Sequence, residues 1–277
     1  MNAPAVPLAL ALPLPGHRAV DLSLTIAEDL PCYWSTHQPF QHKTWTWFAD
    51  RPNSSGSVYN RGGPYTTRWM AIDEHTGTHF DAPSHFVPPP GSGLPHAGPA
   101  GEISAERVPL EQLMGAAAVI DVSGLPLAAE GGVSTLFGSE VITAWERAHG
   151  RLEPAQVVLL RTGWDRRYLR GADGDGYLYD VVVTRKSPGW PAPDVSAIET
   201  LLDRGVRCVG IDAPSIGAAH DGAAVHVCGL SSGMVFVESL TGLGDLPARG
   251  AWFCFVPLRL EGGTGAPGRA FALVPAG

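Results

Sequence analysis

The segment His75-Thr76-Gly77-Thr78-His79-Phe80-Asp81-Ala82-Pro83-Ser84-His85-Phe86 places three histidines and one carboxylate within eleven residues, and nothing else in the chain constrains its fold as strongly. Imidazole and carboxylate donors suit zinc, manganese or iron(II), and three protein ligands with one open position mark a catalytic ion. A flat strand would put His75, His79 and Asp81 on one face. It would also hold the first and last roughly 20 Å apart at about 3.3 Å per residue, too far for one ion. A helix would bring His75 beside His79, but Thr76, Gly77, Thr78 and Pro83 suit a helix interior poorly. The segment is therefore expected to bend sharply, with Gly77 at the bend. The plainer alternative, a polar loop whose histidines cap and hydrogen-bond, fits one histidine better than it fits the whole constellation.

Composition bounds what can surround such a site. A chain of 277 residues with 44% hydrophobic and 17% charged content is long enough for a sizeable core. One domain is expected over residues 19–277, preceded by a loose arm at 1–18. The formal charge of −8 and the absence of a Lys or Arg run argue against a nucleic-acid surface. Cys32, Cys208, Cys228 and Cys254 form no Cys-x-x-Cys pair, so reduced thiols in a cytoplasmic protein are the expectation. Residues 1–16 are apolar like a signal peptide, but they lack a basic start and are broken by Pro4, Pro7, Pro13 and Pro15. They read as an arm that packs on a partner subunit. No stretch reaches the roughly 18 apolar residues of a membrane span.

Strand-like and helix-like pieces alternate, which predicts an α/β fold. Residues 117–122, 157–160 and 208–212 are short apolar runs bounded by turn residues, as buried strands are. Ser139 to His149 carries Val141, Ile142, Trp145 and Ala148 at helical spacing before Gly150. Asp194 to Arg204 carries Val195, Ile198, Leu201 and Leu202, with Asp194 as a cap and Gly205 as a stop. Asp50 to Pro64 and Pro88 to Gly101 are rich in Gly, Pro, Ser and Asn and are expected as long surface loops.

Two other motifs weigh less. Gly229-Leu230-Ser231-Ser232-Gly233 has the Gly-x-Ser-x-Gly form of a serine hydrolase, but that fold needs a later histidine and none follows His226. Asp173-Gly174-Asp175-Gly176 lacks the twelfth-position ligand of a calcium loop and reads as a turn. His17, His37, His42, His96 and His149 carry no spacing signal and are expected on the surface or as satisfied core groups. Glu238 ends the apolar run Met234 to Val237, so a carboxylate enters or borders a core, where it needs a partner or a metal.

The pattern His-x-Gly-Thr-His-x-Asp-x-Pro-x-His resembles the metal-dependent cyclase family that includes bacterial kynurenine formamidase and isatin hydrolase. Further matches are Asp21-Leu22-Ser23, residues 159–164, residues 209–216, His226 and Glu238 twelve residues apart, and residues 263–269. The resemblance implies a swivelling β/β/α domain and a homodimer or homotetramer. It implies Mn2+ or Zn2+, one ion or two, on His75, His79 and Asp81, with His85, His226, Glu238 and Ser239 as catalytic residues. His85 would either move a proton or ligate a second ion, and His226 and Glu238 would complete proton transfer to the leaving group or bind that second ion. Ser239 stands where many formamidase-like members have Asn, as in isatin-hydrolase-like ones, and Gly217 stands where Asp is commoner.

The chemistry that follows is attack on an amide, lactam or lactone carbonyl by water whose pKa the ion draws toward about 7. Trp34, Trp45, Trp47, Phe48 and Trp69 lead into the motif. They fill a core or interface, or they line the pocket, Trp34 and Trp69 first among them, and favour a flat aromatic small molecule. Two alternatives remain open here: a polyketide cyclase using the same fold and metal, and a non-catalytic binding protein.

Overall fold

A computed structural model of the chain describes residues 16–52, 55, 58–60 (backbone only) and 62–276. In chain order the first elements are β1 (His17–Asp21), β2 (Gln41–Thr46), β3 (Arg51–Pro52), β4 (Val58–Asn60), β5 (Thr67–Ala71), β6 (His79–Asp81) and β7 (Met114–Asp121). There follow β8 (Leu136–Phe137), α1 (Ser139–His149), β9 (Val157–Arg161), α2 (Tyr179–Val182), β10 (Ala192–Pro193) and α3 (Val195–Asp203). The last are β11 (Cys208–Ile211), α4 (Ala223–Ser231), β12 (Val235–Glu238), β13 (Arg249–Pro257) and β14 (Gly265–Pro275).

Eight strands form one sheet in the order β1-β14-β13-β7-β9-β11-β12-β6, and β6 also pairs with the start of β14, so the sheet closes into a barrel. The run β7-β9-β11-β12 is parallel and the remaining pairings are antiparallel. Parallel strands need cover on both faces, which is why these read as continuous apolar runs. Side chains alternate accordingly. Val157, Leu159, Val235 and Val237 share the barrel interior with Phe80, Phe253 and Phe255. Val158, Leu160, Val209, Ile211 and Phe236 face outward onto Ile142, Trp145, Ile198, Leu201 and Leu230 of the helices.

Local signals end the helices where the sequence predicts. Asp194 Oδ1 accepts the Ala197 N–H at 3.1 Å, a side-chain cap on α3, and Gly205 stops the chain at φ +77. The helix α1 spans the residues its periodicity indicates and ties down through Trp145, whose ring N–H donates to the Val119 carbonyl at 2.8 Å.

Other expectations are corrected. Asp50 to Pro64 is not simply a loop. It contains the antiparallel pair β3–β4 beyond the antiparallel pair β2–β5, so the described residues between Gln41 and Ala71 make a hairpin arm. The strands β2, β3 and β5 are not legible in the sequence because little of them is buried, and without a covered face there is no alternation to see. His17 and Arg18, placed in the loose arm by sequence, are the first residues of β1 and pair with Pro275 and Val274. Residues 1–15 of that arm lie outside the described residues. The Gly-x-Ser-x-Gly stretch is the end of α4 and the turn into β12. Among the described residues no helix is long and apolar enough to cross a membrane.

Candidate metal centre

Strand alternation places the site. In β6, Phe80 enters the barrel interior, which sends His79 and Asp81 to the helix-covered face. In β12, Val237 enters the interior and Glu238 takes the opposite face, as the register partner of His79. The turn before β6 brings in His75. Gly77 sits there at φ +64, and a Cβ on it would lie 2.5 Å from Ile26 Cγ2, so both conformation and space require glycine. The helix α4 supplies His226. Gly217 makes room for it, since a Cβ there would come within 2.5 Å of Gly222 Cα and 2.9 Å of His226 Cε1.

His75, His79 and His226 each have one ring nitrogen hydrogen-bonded away from the centre. His79 Nδ1 faces the Gly77 carbonyl at 2.8 Å and His226 Nδ1 faces the Gly222 carbonyl at 2.7 Å. A carbonyl only accepts, so both nitrogens carry hydrogen and both Nε2 atoms turn inward. His79 Nε2 lies 3.6 Å from Asp81 Oδ1 and 3.5 Å from Glu238 Oε2. His226 Nε2 lies 3.4 Å from Asp81 Oδ2 and 3.3 Å from Glu238 Oε1. His75 Nδ1 lies 2.9 Å from Asp81 Oδ1.

Nitrogen lone pairs aimed at carboxylate lone pairs repel unless positive charge lies between them. Asp81 is 1% exposed, and among the described residues its Oδ2 receives no well-formed hydrogen bond, His226 Nε2 standing off at 3.4 Å. Burial alone would lower the His226 ring, yet Asp81 and Glu238 outweigh it and push it up to about 10. Burial would raise Asp81, yet the surrounding imidazoles, His85 and His226 foremost, hold it well below the usual carboxylate range. Both shifts express one demand for a cation. The ligand atoms of His75, His79 and Asp81 lie within 4.8 Å of one another, and so do those of Asp81, His226 and Glu238. The donor chemistry and the orphaned Asp81 oxygen fit a divalent metal, with Asp81 common to two donor sets.

A cavity of about 240 Å³ opens over this centre, lined by Trp34, His37, His75, His79, His85, Phe86, Tyr177, His226, Glu238 and Ser239 among others. His85 stacks on His75 with ring centroids 4.0 Å apart, and burial lowers its pKa to about 4. Phe86 stacks on His226 at 4.2 Å. Ser239 stands in the left-handed region at φ +56. Its N–H donates to Ala213, Thr78 Oγ1 donates to its carbonyl at 2.6 Å, and Tyr177 donates its hydroxyl to Ser239 Oγ at 3.2 Å. These bonds hold a conformation that costs roughly 1–2 kcal/mol.

One assignment from sequence is corrected: Trp69 lies 42% exposed on β5 beside Trp45, away from the cavity, so Trp34 alone of that pair lines it. Several lining residues were missed, Phe86, Tyr177 and His37 among them. His37 reaches the mouth, its Nδ1 3.3 Å from Asp73 Oδ1, and Asp73 also accepts the His75 N–H at 2.9 Å. No spacing rule connects His37 to the motif, because the contact is made by a turn that only the fold brings near.

The profile of the Cyclase family matches residues 20–218, and the chain belongs to that family. Among curated relatives, an isatin hydrolase of Roseibium aggregatum is 34% identical over 225 residues, 79% of each chain. A kynurenine formamidase of Salinibacter ruber is 30% identical over 254 residues, 91% of this chain and 95% of its own. Among solved structures, isatin hydrolase A from Labrenzia aggregata bound to benzyl benzoate superposes with a TM-score of 0.70 at 31% identity, covering 94% of both chains. An isatin hydrolase bound to the product analogue thioisatinate gives 0.73 at 27% identity, covering 94% of this chain and 93% of that one.

Proposed function

We propose that this chain is a metal-dependent hydrolase that opens an amide or lactam bond in an aromatic substrate of the isatin or N-formylkynurenine kind. The convergence of inward-facing imidazole nitrogens on the buried carboxylates of Asp81 and Glu238, beneath an aromatic-lined cavity, carries this reading. Its relatives' names support the substrate class. His75, His79 and Asp81 would hold the first ion, and Asp81, His226 and Glu238 a second. Nitrogen and oxygen donors favour Mn2+ or Zn2+. When bound, such an ion supplies Lewis acidity toward a carbonyl and lowers the pKa of water.

The remaining steps belong to the chain's own groups. Burial keeps His85 neutral at pH 7, so its ring is free to accept a proton. Ser239 Oγ accepts from Tyr177, which leaves its own hydrogen for an oxygen of the substrate. Trp34, Phe86 and Tyr177 form apolar walls that fit a flat ring and exclude water. Free cysteines, three of the four buried, support a reducing cytoplasmic setting. Exposed Trp45, Trp47, Phe48 and Trp69 on the hairpin arm support assembly as a homodimer or homotetramer.

The test is absorbance-monitored opening of isatin, and of N-formylkynurenine, with Mn2+, with Zn2+ and with a chelator. Metal-dependent turnover of either supports the reading. No turnover of either with any metal overturns it.

A further inference from the structure

We infer that Thr264 and Glu74 form a side-chain relay that fixes the tautomer of His75 and aims its Nδ1 at the ion, an inference that rests on the metal-centre reading above. His75 Nε2 lies 3.1 Å from Thr264 Oγ1, and Thr264 Oγ1 lies 2.9 Å from Glu74 Oε2. The same Glu74 oxygen accepts the Thr264 N–H at 2.7 Å, which holds residue 264 in place. A hydroxyl has one hydrogen, and an ionised carboxylate can only accept. The hydrogen of Thr264 therefore goes to Glu74, and Thr264 Oγ1 is left as the acceptor facing His75 Nε2. That nitrogen must carry a hydrogen, so Nδ1 keeps its lone pair, 2.9 Å from Asp81 Oδ1.

His75 thus differs from its two companions. His79 and His226 are fixed by backbone carbonyls and present Nε2. A side-chain substitution leaves those carbonyls in place, whereas the tautomer of His75 depends on two side chains. The rest of its ring is already confined. Stacking on His85 at 4.0 Å covers one face, and a Cβ on Gly265 would come within 2.8 Å of His75 Cε1. With the ring plane set by packing, the relay decides which nitrogen meets the ion. Thr264 and Glu74 are positioning residues, since they touch His75 rather than the reacting atoms.

The experiment is calorimetric titration of chelator-treated full-length protein with Mn2+ and with Zn2+, comparing wild type, Thr264→Val, Thr264→Ser and Glu74→Ala. Thr264→Val keeps shape but has no acceptor, and Glu74→Ala frees the threonine hydrogen to turn toward His75 Nε2. Both are expected to weaken metal binding about 10- to 100-fold, the usual effect of losing a group that orients a ligand. Thr264→Ser is expected to bind as wild type does. Melting temperatures in chelator separate folding from binding, and if Thr264→Val does not fold, Glu74→Ala carries the test with the threonine intact. Wild-type affinity in Thr264→Val or Glu74→Ala, or weakening in Thr264→Ser equal to that in Thr264→Val, overturns the relay while leaving the metal centre standing. A wild type that binds neither metal overturns the metal centre and the relay with it.

Discussion

His79 and Glu238 are register partners across the antiparallel β6–β12 pair, with His79 Nε2 3.5 Å from Glu238 Oε2. Two stretches far apart in the sequence thus meet on one face of a closed sheet, and the pairing that builds the barrel also assembles the centre.

From this pairing, His79→Ala should abolish metal retention while the fold persists. Metal content by mass spectrometry should fall to background with the far-ultraviolet circular dichroism spectrum unchanged. Full metal content and full activity in that variant would remove His79 from the centre.

Stripping the metal should be reversible in its effect. Dialysis against a chelator is expected to abolish isatin opening, and added Mn2+ or Zn2+ to restore it. The melting temperature should rise with the added ion, because a ligand that binds only the native state stabilises it in proportion to log concentration. A melting temperature that ignores both treatments would contradict this.

Gly217 tests how closely α4 is seated. A Cβ there would press on Gly222 and on the His226 ring, so Gly217→Ala should destabilise the protein by about 1–3 kcal/mol through overpacking and lower activity as His226 shifts. Urea unfolding gives the first quantity and steady-state kinetics the second. A neutral substitution would show that the α4 turn yields freely.

Trp34 and His37 occupy the mouth and wall of the cavity, one apolar and one polar. Trp34→Ala and His37→Ala should raise KM for an aromatic substrate more than they lower kcat, because neither side chain reaches the centre itself. Equal losses in kcat and kcat/KM would instead place them in the chemical step.

Asp212 ties the end of β11 to the turn after β9 by accepting from Thr162 N–H, Thr162 O–H and Gly163 N–H. Burial nevertheless raises its carboxyl to about 6. A carboxyl raised on folding favours the protonated native state. Its contribution is full below the ordinary value near 3.9 and is lost as pH rises through about 6, a span worth roughly 3 kcal/mol. The difference in urea stability between wild type and Asp212→Asn should fall across that interval. A flat difference would show that the three donors already cancel the effect of burial.

The parts of the fold and site that depend on local chemistry can be read from the residues alone. The donors and the bend at Gly77 were legible because ligand types and glycine lie within eleven residues. The strands β7, β9 and β11 and the helices α1 and α3 were legible because apolar periodicity and caps are local signals. The rest follows from how distant segments pack together. Barrel closure put Glu238 opposite His79 and Thr264 beside His75, and a surface turn brought His37 to the mouth. It also left Trp69 on the exposed arm, although its aromatic character made it as good a pocket candidate as Trp34. Residue type dictates what a side chain can bind, but which side chains share a cavity depends on strand register and chain closure, which arise from contacts between distant segments.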